Sequence, residues 1–468
     1  MLKPANHIKE ADTAVNAMHY QNRKLLQRVQ EPHDVFVVCN SLSSSLFSNL
    51  NLLRDQAITA MAFLSKTFPP GQRRIVDEAQ LCERFPLTYN YIHTFDRGKG
   101  GAWYIPPEWL HANQAPPRTI IEAAQLASEA AVSNAERRIP FSNIPLLVHQ
   151  KWDTTQLNGT KESILSYVEQ WLMYSITPPA GANPMAYFLW DNEGVLELMD
   201  EYENDLTTDF IEVFSPVEKV DIFRIVACKW FGGIYGDIDT KSLQHPSQWI
   251  RSTDLSEWTD ELTGKTYGVA AAQVPQDPSQ AQPVNAIWGI ECDTDPDTNT
   301  HWRTSYTYPV QLTNWALASA PQHPILQYFL DRIPEKAAEA RHRAAHTPGV
   351  SSLAELHYDP VTRTGPVAVT QATSWFLEQH DGLRWNALTG LKDGGKNKVV
   401  GDVLILPITG FSPTTKKFNR NGKGGWDHPD ARLAHTAMGS WHHTNLIVEY
   451  GKFCRSVFGL CKDWQKMW

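Results

Sequence analysis

The chain has 468 residues, 42% of them hydrophobic and 11% aromatic, which excludes a disordered or fibrous protein and leaves room for one to three domains around a large core. A formal net charge of −9 argues against a general nucleic-acid or anionic-membrane binder. No run of 18 apolar residues is present, and no basic segment followed by an apolar stretch opens the sequence. Neither a transmembrane segment nor a signal peptide is therefore expected, and the sequence reads as soluble and cytoplasmic.

In chain order, Ala14 to Val29 and Asn51 to Phe68 read as helices and His33 to Cys39 as a short strand, with breaks at Pro69-Pro70-Gly71, Pro106-Pro107 and Pro116-Pro117. Ile120 to Arg138 is an Ala- and Glu-rich helix. Residues 1–139 thus form a mostly helical N-terminal extension without a catalytic motif. From Ile139 the character changes. Ile144 to Trp152 is an apolar strand ending in His149, Gln150, Lys151 and Trp152, which should lie past the carboxyl end of a sheet where ligands bind. Lys161 to Tyr174 (helix), Ala186 to Trp190 (strand) and Gly194 to Tyr202 (helix) follow, the alternation of an α/β sheet.

The densest stretch is Ser215 to Thr240. Ser215, Pro216 and Glu218 form an S-P-x-E helix start, and a wide apolar face runs from Val217 to Trp230. Gly232 and Gly233 stop the helix, and Ile234-Tyr235 reads as a strand ending on Asp237-Ile238-Asp239. Asp221 and Arg224 are three apart on that helix, interrupting an apolar surface where charges are costly unless paired or used. Asp237 and Asp239, if on a regular strand, point to one side about 7 Å apart. They suit Mg²⁺ or Mn²⁺ brought in with a substrate diphosphate. The D-x-D triplet alone is weak evidence, since roughly one arises by chance in a chain of this size. Asp293, Asp295 and Asp297 supply two more in a Pro- and Thr-rich loop, where they read as solvated.

Among the six cysteines none has C-x-x-C spacing, so no zinc site is expected. Cys228 reads as a buried thiol, and Cys454 and Cys461 can pair in an oxidising compartment. Asn158-Gly159-Thr160 is a glycosylation sequon.

Taken together, D-x-x-R, a helix end, Gly-Gly-Ile-Tyr and D-x-D-T resemble the glycosyltransferase family with a sugar-binding DXD region. That family includes the fungal initiation-specific α-1,6-mannosyltransferases and is distantly related to the clostridial glucosylating toxins. Further matches are the opening strand with Trp152, Gly289-Ile290-Glu291, Gln311 with Asn314-Trp315, His323-Pro324, Thr364-Gly365-Pro366 with Thr370, and His435 with Gly439-Ser440-Trp441. The resemblance covers about residues 140–450 and implies a GT-A type, Rossmann-like mixed sheet flanked by helices, with 451–468 left as a tail. It further implies a retaining transfer of a sugar, mannose first, from GDP-mannose or a UDP-sugar to a glycan, lipid or small-molecule acceptor. By resemblance, Trp152, Tyr235, Ser440 and Trp441 bind the donor, and His435 joins Asp237 and Asp239 around Mn²⁺ or Mg²⁺, with His442 and His443 as rivals. Asp221 then holds sugar hydroxyls or pairs with Arg224. Retention through a carboxylate nucleophile would leave Glu291 as the candidate, whereas the family's usual reaction runs on one face without one. Golgi members carry an N-terminal anchor, which is not seen here. Two other classes compete. A haloacid-dehalogenase phosphatase needs D-x-D-x-T, and here Thr240 directly follows Asp239. A sugar-binding protein without turnover would not need the intact Asp221, Arg224, Asp237 and Asp239 set.

Overall fold

The structure, a computed structural model, describes residues 78–468 apart from 113, 158, 275–276, 278–282, 348–352, 354–358, 415–424, 437–445 and 463–468. The elements expected before residue 70 lie outside the described residues, as do Ser440, Trp441, His442 and His443. Among the described residues no helix is long and apolar enough to cross a membrane.

The strands, in chain order, are β1 (Asp96–Gly98), β2 (Gly101–Tyr104), β3 (Leu147–Lys151), β4 (Ala186–Trp190), β5 (Gly233–Gly236), β6 (Thr240–Ser242), β7 (Trp258–Thr259), β8 (Thr266–Tyr267), β9 (Ala286–Asp293), β10 (Val310–Leu312), β11 (Ala316–Ser319), β12 (Lys398–Val400), β13 (Val403–Leu406) and β14 (Leu433–His435). Ten of them form one mixed sheet in the order β1-β2-β4-β3-β5-β11-β9-β13-β12, with β10 also on β9. Strands β4, β3 and β5 are parallel, as are β9 and β13, and antiparallel β11 separates the two groups. This is the mixed α/β sheet expected. The helices that matter for the site are α1 (Pro86–Thr94), α2 (Ile120–Val132), α3 (Glu162–Ile176), α4 (Asn192–Tyr202), α5 (Pro216–Phe231) and α6 (Pro366–Asp381).

Residues before 140 take part in this sheet. β2 pairs with β4 from Gly101 opposite Trp190 to Tyr104 opposite Tyr187, and Ala102 and Trp103 are buried. The layer therefore crosses the expected boundary at 139/140: the antiparallel β1–β2 hairpin covers the edge that β4 would otherwise expose. Side-chain alternation puts helices on both faces. Phe188 and Trp190 face α5, Trp190 lying 5.4 Å from Phe223 and 5.9 Å from Phe231. Tyr187 points the other way, 6.2 Å from Tyr91 of α1.

Helix α5 starts as the sequence predicts. Glu218 Oε2 accepts from the backbone N–H of Ser215 at 2.8 Å and from its hydroxyl at 2.7 Å. Burying Ile222, Phe223, Ile225, Val226 and Phe231 stabilises the helix on the sheet by roughly 2 kcal/mol per side chain. Gly232 ends it at φ 66° and Gly233 follows at φ 93°. A Cβ on Gly233 would lie 2.7 Å from the Leu147 carbonyl oxygen, so no other residue can make this turn into β5.

His149 departs from expectation. It is fully buried, stacked on Phe188 at 5.3 Å. Its Nδ1 accepts from the Trp190 indole at 3.2 Å and its Nε2 donates to the Gly232 carbonyl at 3.0 Å. Burial holds its pKa down at about 4. It is a neutral core residue that ties β3 to the end of α5. In the C-terminal segment, Cys454 and Cys461 form a disulfide.

Candidate active site

The parallel strands β3 and β5 lie side by side, with Val148 opposite Ile234 and His149 opposite Tyr235. Their carboxyl ends therefore open at one edge of the sheet, the usual place for ligands in such folds. β5 stops at Gly236 and the two acids sit in the turn beyond it, not on a regular strand. The Asp237 N–H donates to the Trp315 carbonyl at 2.9 Å, and the Asp237 carbonyl accepts from the Thr240 N–H at 2.9 Å and the Thr240 hydroxyl at 2.6 Å. Gln150 Nε2 also donates to that carbonyl at 3.2 Å, while Gln150 Oε1 accepts from the Tyr187 hydroxyl at 2.8 Å. A straight strand was expected because period-2 spacing cannot see these long-range donors.

The chain then pairs as β6 with β14, which sets His435 opposite Thr240. His435 Nε2 lies 3.0 Å from Asp239 Oδ1, and the imidazole stacks on Trp315 at 4.7 Å. Thr436 donates to the Asp239 carbonyl from its N–H at 3.3 Å and its hydroxyl at 3.1 Å. Asp237, Asp239 and His435 each offer a ligand atom, all within 4.8 Å of one another. Two carboxylates and an imidazole suit Mn²⁺ or Mg²⁺. Burial alone would lower the His435 pKa, but Asp239, Asp237 and Glu291 outweigh it and raise it. A cation at the cluster would compete with that proton.

Asp221 and Arg224 are each only 3% exposed. Arg224 Nη1 lies 2.9 Å from Asp221 Oδ1 and donates to the Asn314 carbonyl at 2.8 Å, while Nη2 reaches Asp237 Oδ1 at 3.1 Å. Asp221 also accepts from the Asn314 amide at 2.9 Å and the Thr364 hydroxyl at 2.8 Å. Burial pushes its carboxyl up to about 7 against the pull of Arg224 and Thr364. Of the two roles open to Asp221, pairing with Arg224 is the one seen in this state, and through Arg224 it positions Asp237.

Tyr235, expected at the donor, is 1% exposed. Its hydroxyl donates to Asp237 Oδ1 at 2.8 Å, and Arg224 lies over its ring at 5.0 Å. It supports the acids from below. Trp152 stands half-buried just past β3, its backbone N–H donating to the Trp190 carbonyl at 3.0 Å. Of the other D-x-D triplets, Asp293 is not solvated. It is 2% exposed and accepts from the Thr389 hydroxyl at 2.6 Å and the Gly390 N–H at 2.8 Å. Asp295 does sit in an exposed turn, accepting from the Asp297 N–H at 3.0 Å.

Sequence reasoning missed the braces. Asn314, Trp315 and Thr364 were visible as motif residues without a partner to assign. Tyr167 of α3 carried no signal at all, yet it is buried close to Asp239 and Thr436.

Residues 155–256 match the family described as glycosyltransferase sugar-binding region containing DXD motif. Over this span the chain is similar to that family. Asp237-Ile238-Asp239, α5 and β5 all lie inside the matched span. An initiation-specific alpha-1,6-mannosyltransferase of Schizosaccharomyces pombe is 28% identical over 313 residues, covering 65% of this chain and 66% of that protein. A protein of the same name from Candida albicans is 25% identical over 242 residues, covering 48% and 54%. The chain thus spans between about half and just under two thirds of these relatives' lengths. A solved structure, PaToxG glycosyltransferase, is 14% identical with a TM-score of 0.25, over 57% of this chain and 83% of that one.

Proposed function

We propose that the protein is a metal-dependent, retaining glycosyltransferase that moves a hexose, mannose first, from a nucleotide-diphosphate sugar to an acceptor hydroxyl. The observation that carries this reading is the convergence of Asp237, Asp239 and His435 at the carboxyl ends of β3 and β5, the two acids lying within the matched residues 155–256. The names of the two yeast relatives favour mannose.

Asp237, Asp239 and His435 would hold the divalent cation, which when bound supplies Lewis-acid neutralisation of a departing diphosphate. The protein's own part is preorganisation. Arg224 fixes Asp237 and adds positive charge where the phosphates become negative. Its link to Asp221 keeps that arm rigid without solvent. Trp152, half-buried at the end of β3, offers an indole face to the nucleotide base. The acceptor hydroxyl would attack on the face the diphosphate leaves, and its proton would pass to the leaving oxygen, giving retention without an enzyme nucleophile.

A thermal-shift screen of GDP-mannose, UDP-glucose and UDP-N-acetylglucosamine, each with and without Mn²⁺, tests donor and metal together, since a ligand of the folded state alone raises Tm. NMR of the product then reports its anomeric configuration. No shift with any donor in Mn²⁺, or an inverted product, would refute the reading.

A further inference from the structure

β9 runs parallel to β5 with β11 between them, so both strands end at the same edge of the sheet. Ala318 of β11 stands opposite Ile234 on one side and Ile287 on the other. Carrying that register two residues on sets Gly236 level with Gly289, across Ala316. Past the Gly289 face of β9 comes Glu291, the extra residue where β10 slips register, Gln311 standing opposite Cys292 and Leu312 opposite Ile290. That face abuts Phe411, since a Cβ on Gly289 would sit 2.7 Å from that side chain. Phe411 in turn borders Trp315 at 6.2 Å, and His435 stacks on Trp315. Glu291 is close enough to His435 for each to shift the other's proton affinity.

Glu291 differs from the acids around it in one respect. Asp221, Asp237, Asp239 and Asp293 all have hydrogen-bonding partners. Glu291 Oε2 is sealed from solvent and has no hydrogen-bond partner, its charged neighbour being His435. Burial pushes its carboxyl up to about 7. A buried carboxyl oxygen left without a hydrogen bond is costly to the fold and is not kept for stability. It stands across β11 from the cation cluster, so the sheet edge offers a negative group on one side and a cation site on the other. Breaking a sugar–diphosphate bond separates charge in the same sense: negative on the phosphates, positive on the sugar.

We propose that Glu291 is a catalytic residue that faces the transferred sugar, its carboxylate stabilising the positive charge that builds on the anomeric carbon and ring oxygen as the diphosphate leaves. This rests on the transferase reading above. No bond forms to Glu291, and the pair of electrons from the broken bond goes to the diphosphate.

The test compares the full chain with Glu291→Gln in three measurements: turnover of GDP-mannose, UDP-glucose and UDP-N-acetylglucosamine with Mn²⁺, Kd for the donor turned over, and Tm without donor or metal. We expect kcat to fall by about 100-fold or more while donor Kd stays within about threefold, as for loss of a group used only in the transition state. We also expect Tm to hold or rise, because the substitution removes a buried charge whose Oε2 has no hydrogen bond. A Glu291→Gln enzyme with unchanged kcat overturns the proposal. So does a Kd that weakens as much as kcat falls, which would make Glu291 a binding group. A Tm that drops along with kcat would make it structural and overturn the proposal too. A wild type that turns over none of the three donors overturns the transferase reading itself, which separates that failure from a failure of Glu291 alone.

Discussion

Arg224 holds two acids at once, so replacing it with methionine isolates what that buried charge contributes. Arg224→Met keeps much of the side-chain length and removes the contacts to Asp221 at 2.9 Å, to Asp237 at 3.1 Å and to the Asn314 carbonyl at 2.8 Å. The Asp237 side chain is 26% exposed, so losing that arm leaves a partly hydrated acid. The cost falls mainly on Asp221, whose side chain is 4% exposed. Removing one member of such a buried pair costs about 3–5 kcal/mol, and we expect Arg224→Met to lie in that range at pH 8. The penalty should shrink at acid pH. Burial already raises the Asp221 carboxyl to about 7, above its unfolded value, so its neutral form favours folding below the unfolded pKa. That contribution is lost as pH rises through about 7, where Asp221 ionises and comes to depend on Arg224. Urea unfolding of the wild type, Arg224→Met, Asp221→Asn and the double variant at pH 5.5 and 8 reads all of this. The cycle should show a coupling of roughly 1–3 kcal/mol at pH 8 and less at pH 5.5. A cost for Arg224→Met below about 1 kcal/mol at pH 8, or the same cost in the Asp221→Asn background, would show that the pair does not brace the site.

Asp239→Asn should abolish transfer with Tm changed little, and excess chelator should do the same to the wild type; full activity in either case removes the metal role. Asn314→Leu should lower kcat and stability together, because it takes the 2.9 Å amide hydrogen bond from Asp221 and leaves a buried acceptor short of a donor, at about 1–3 kcal/mol by chemical denaturation. His149→Phe should destabilise at pH 7, but its deficit relative to wild type should shrink by about 3 kcal/mol on going to pH 4. The reason is that a buried histidine held near 4 binds its proton only after unfolding, so the wild type alone loses that stability as pH falls from about 6.5. A constant deficit across that range would mean that His149 is not held neutral in the fold. Non-reducing peptide mapping should recover Cys454 joined to Cys461, and Cys454→Ser should cost roughly 2 kcal/mol for so short a loop; free thiols at both positions in the purified protein would contradict the pairing.

Local sequence determined the parts of this protein whose cause is local. The Ser215–Glu218 start, the apolar face of α5, the glycine stop at 232–233 and the strand at 186–190 all follow from spacing and residue type within about 25 residues. The D-x-x-R to D-x-D pattern was legible for the same reason, since one helix and one strand end carry it. Partners were decided only by the tertiary structure. Asp239 meets His435 from 196 residues away, and Asp221 meets Thr364 from 143. Nothing in the spacing of Asn314, Trp315 or Tyr167 says which acid each will serve. Burial was likewise hidden: His149 and Tyr235 look like polar residues at a strand end, but neighbouring strands and α5 close over them. Asp293 looks like a loop acid until Thr389 and Gly390 arrive to satisfy it. A carboxylate's role depends on which donors reach it, and those donors are set by how distant strands and loops come together, not by the residues beside it in sequence.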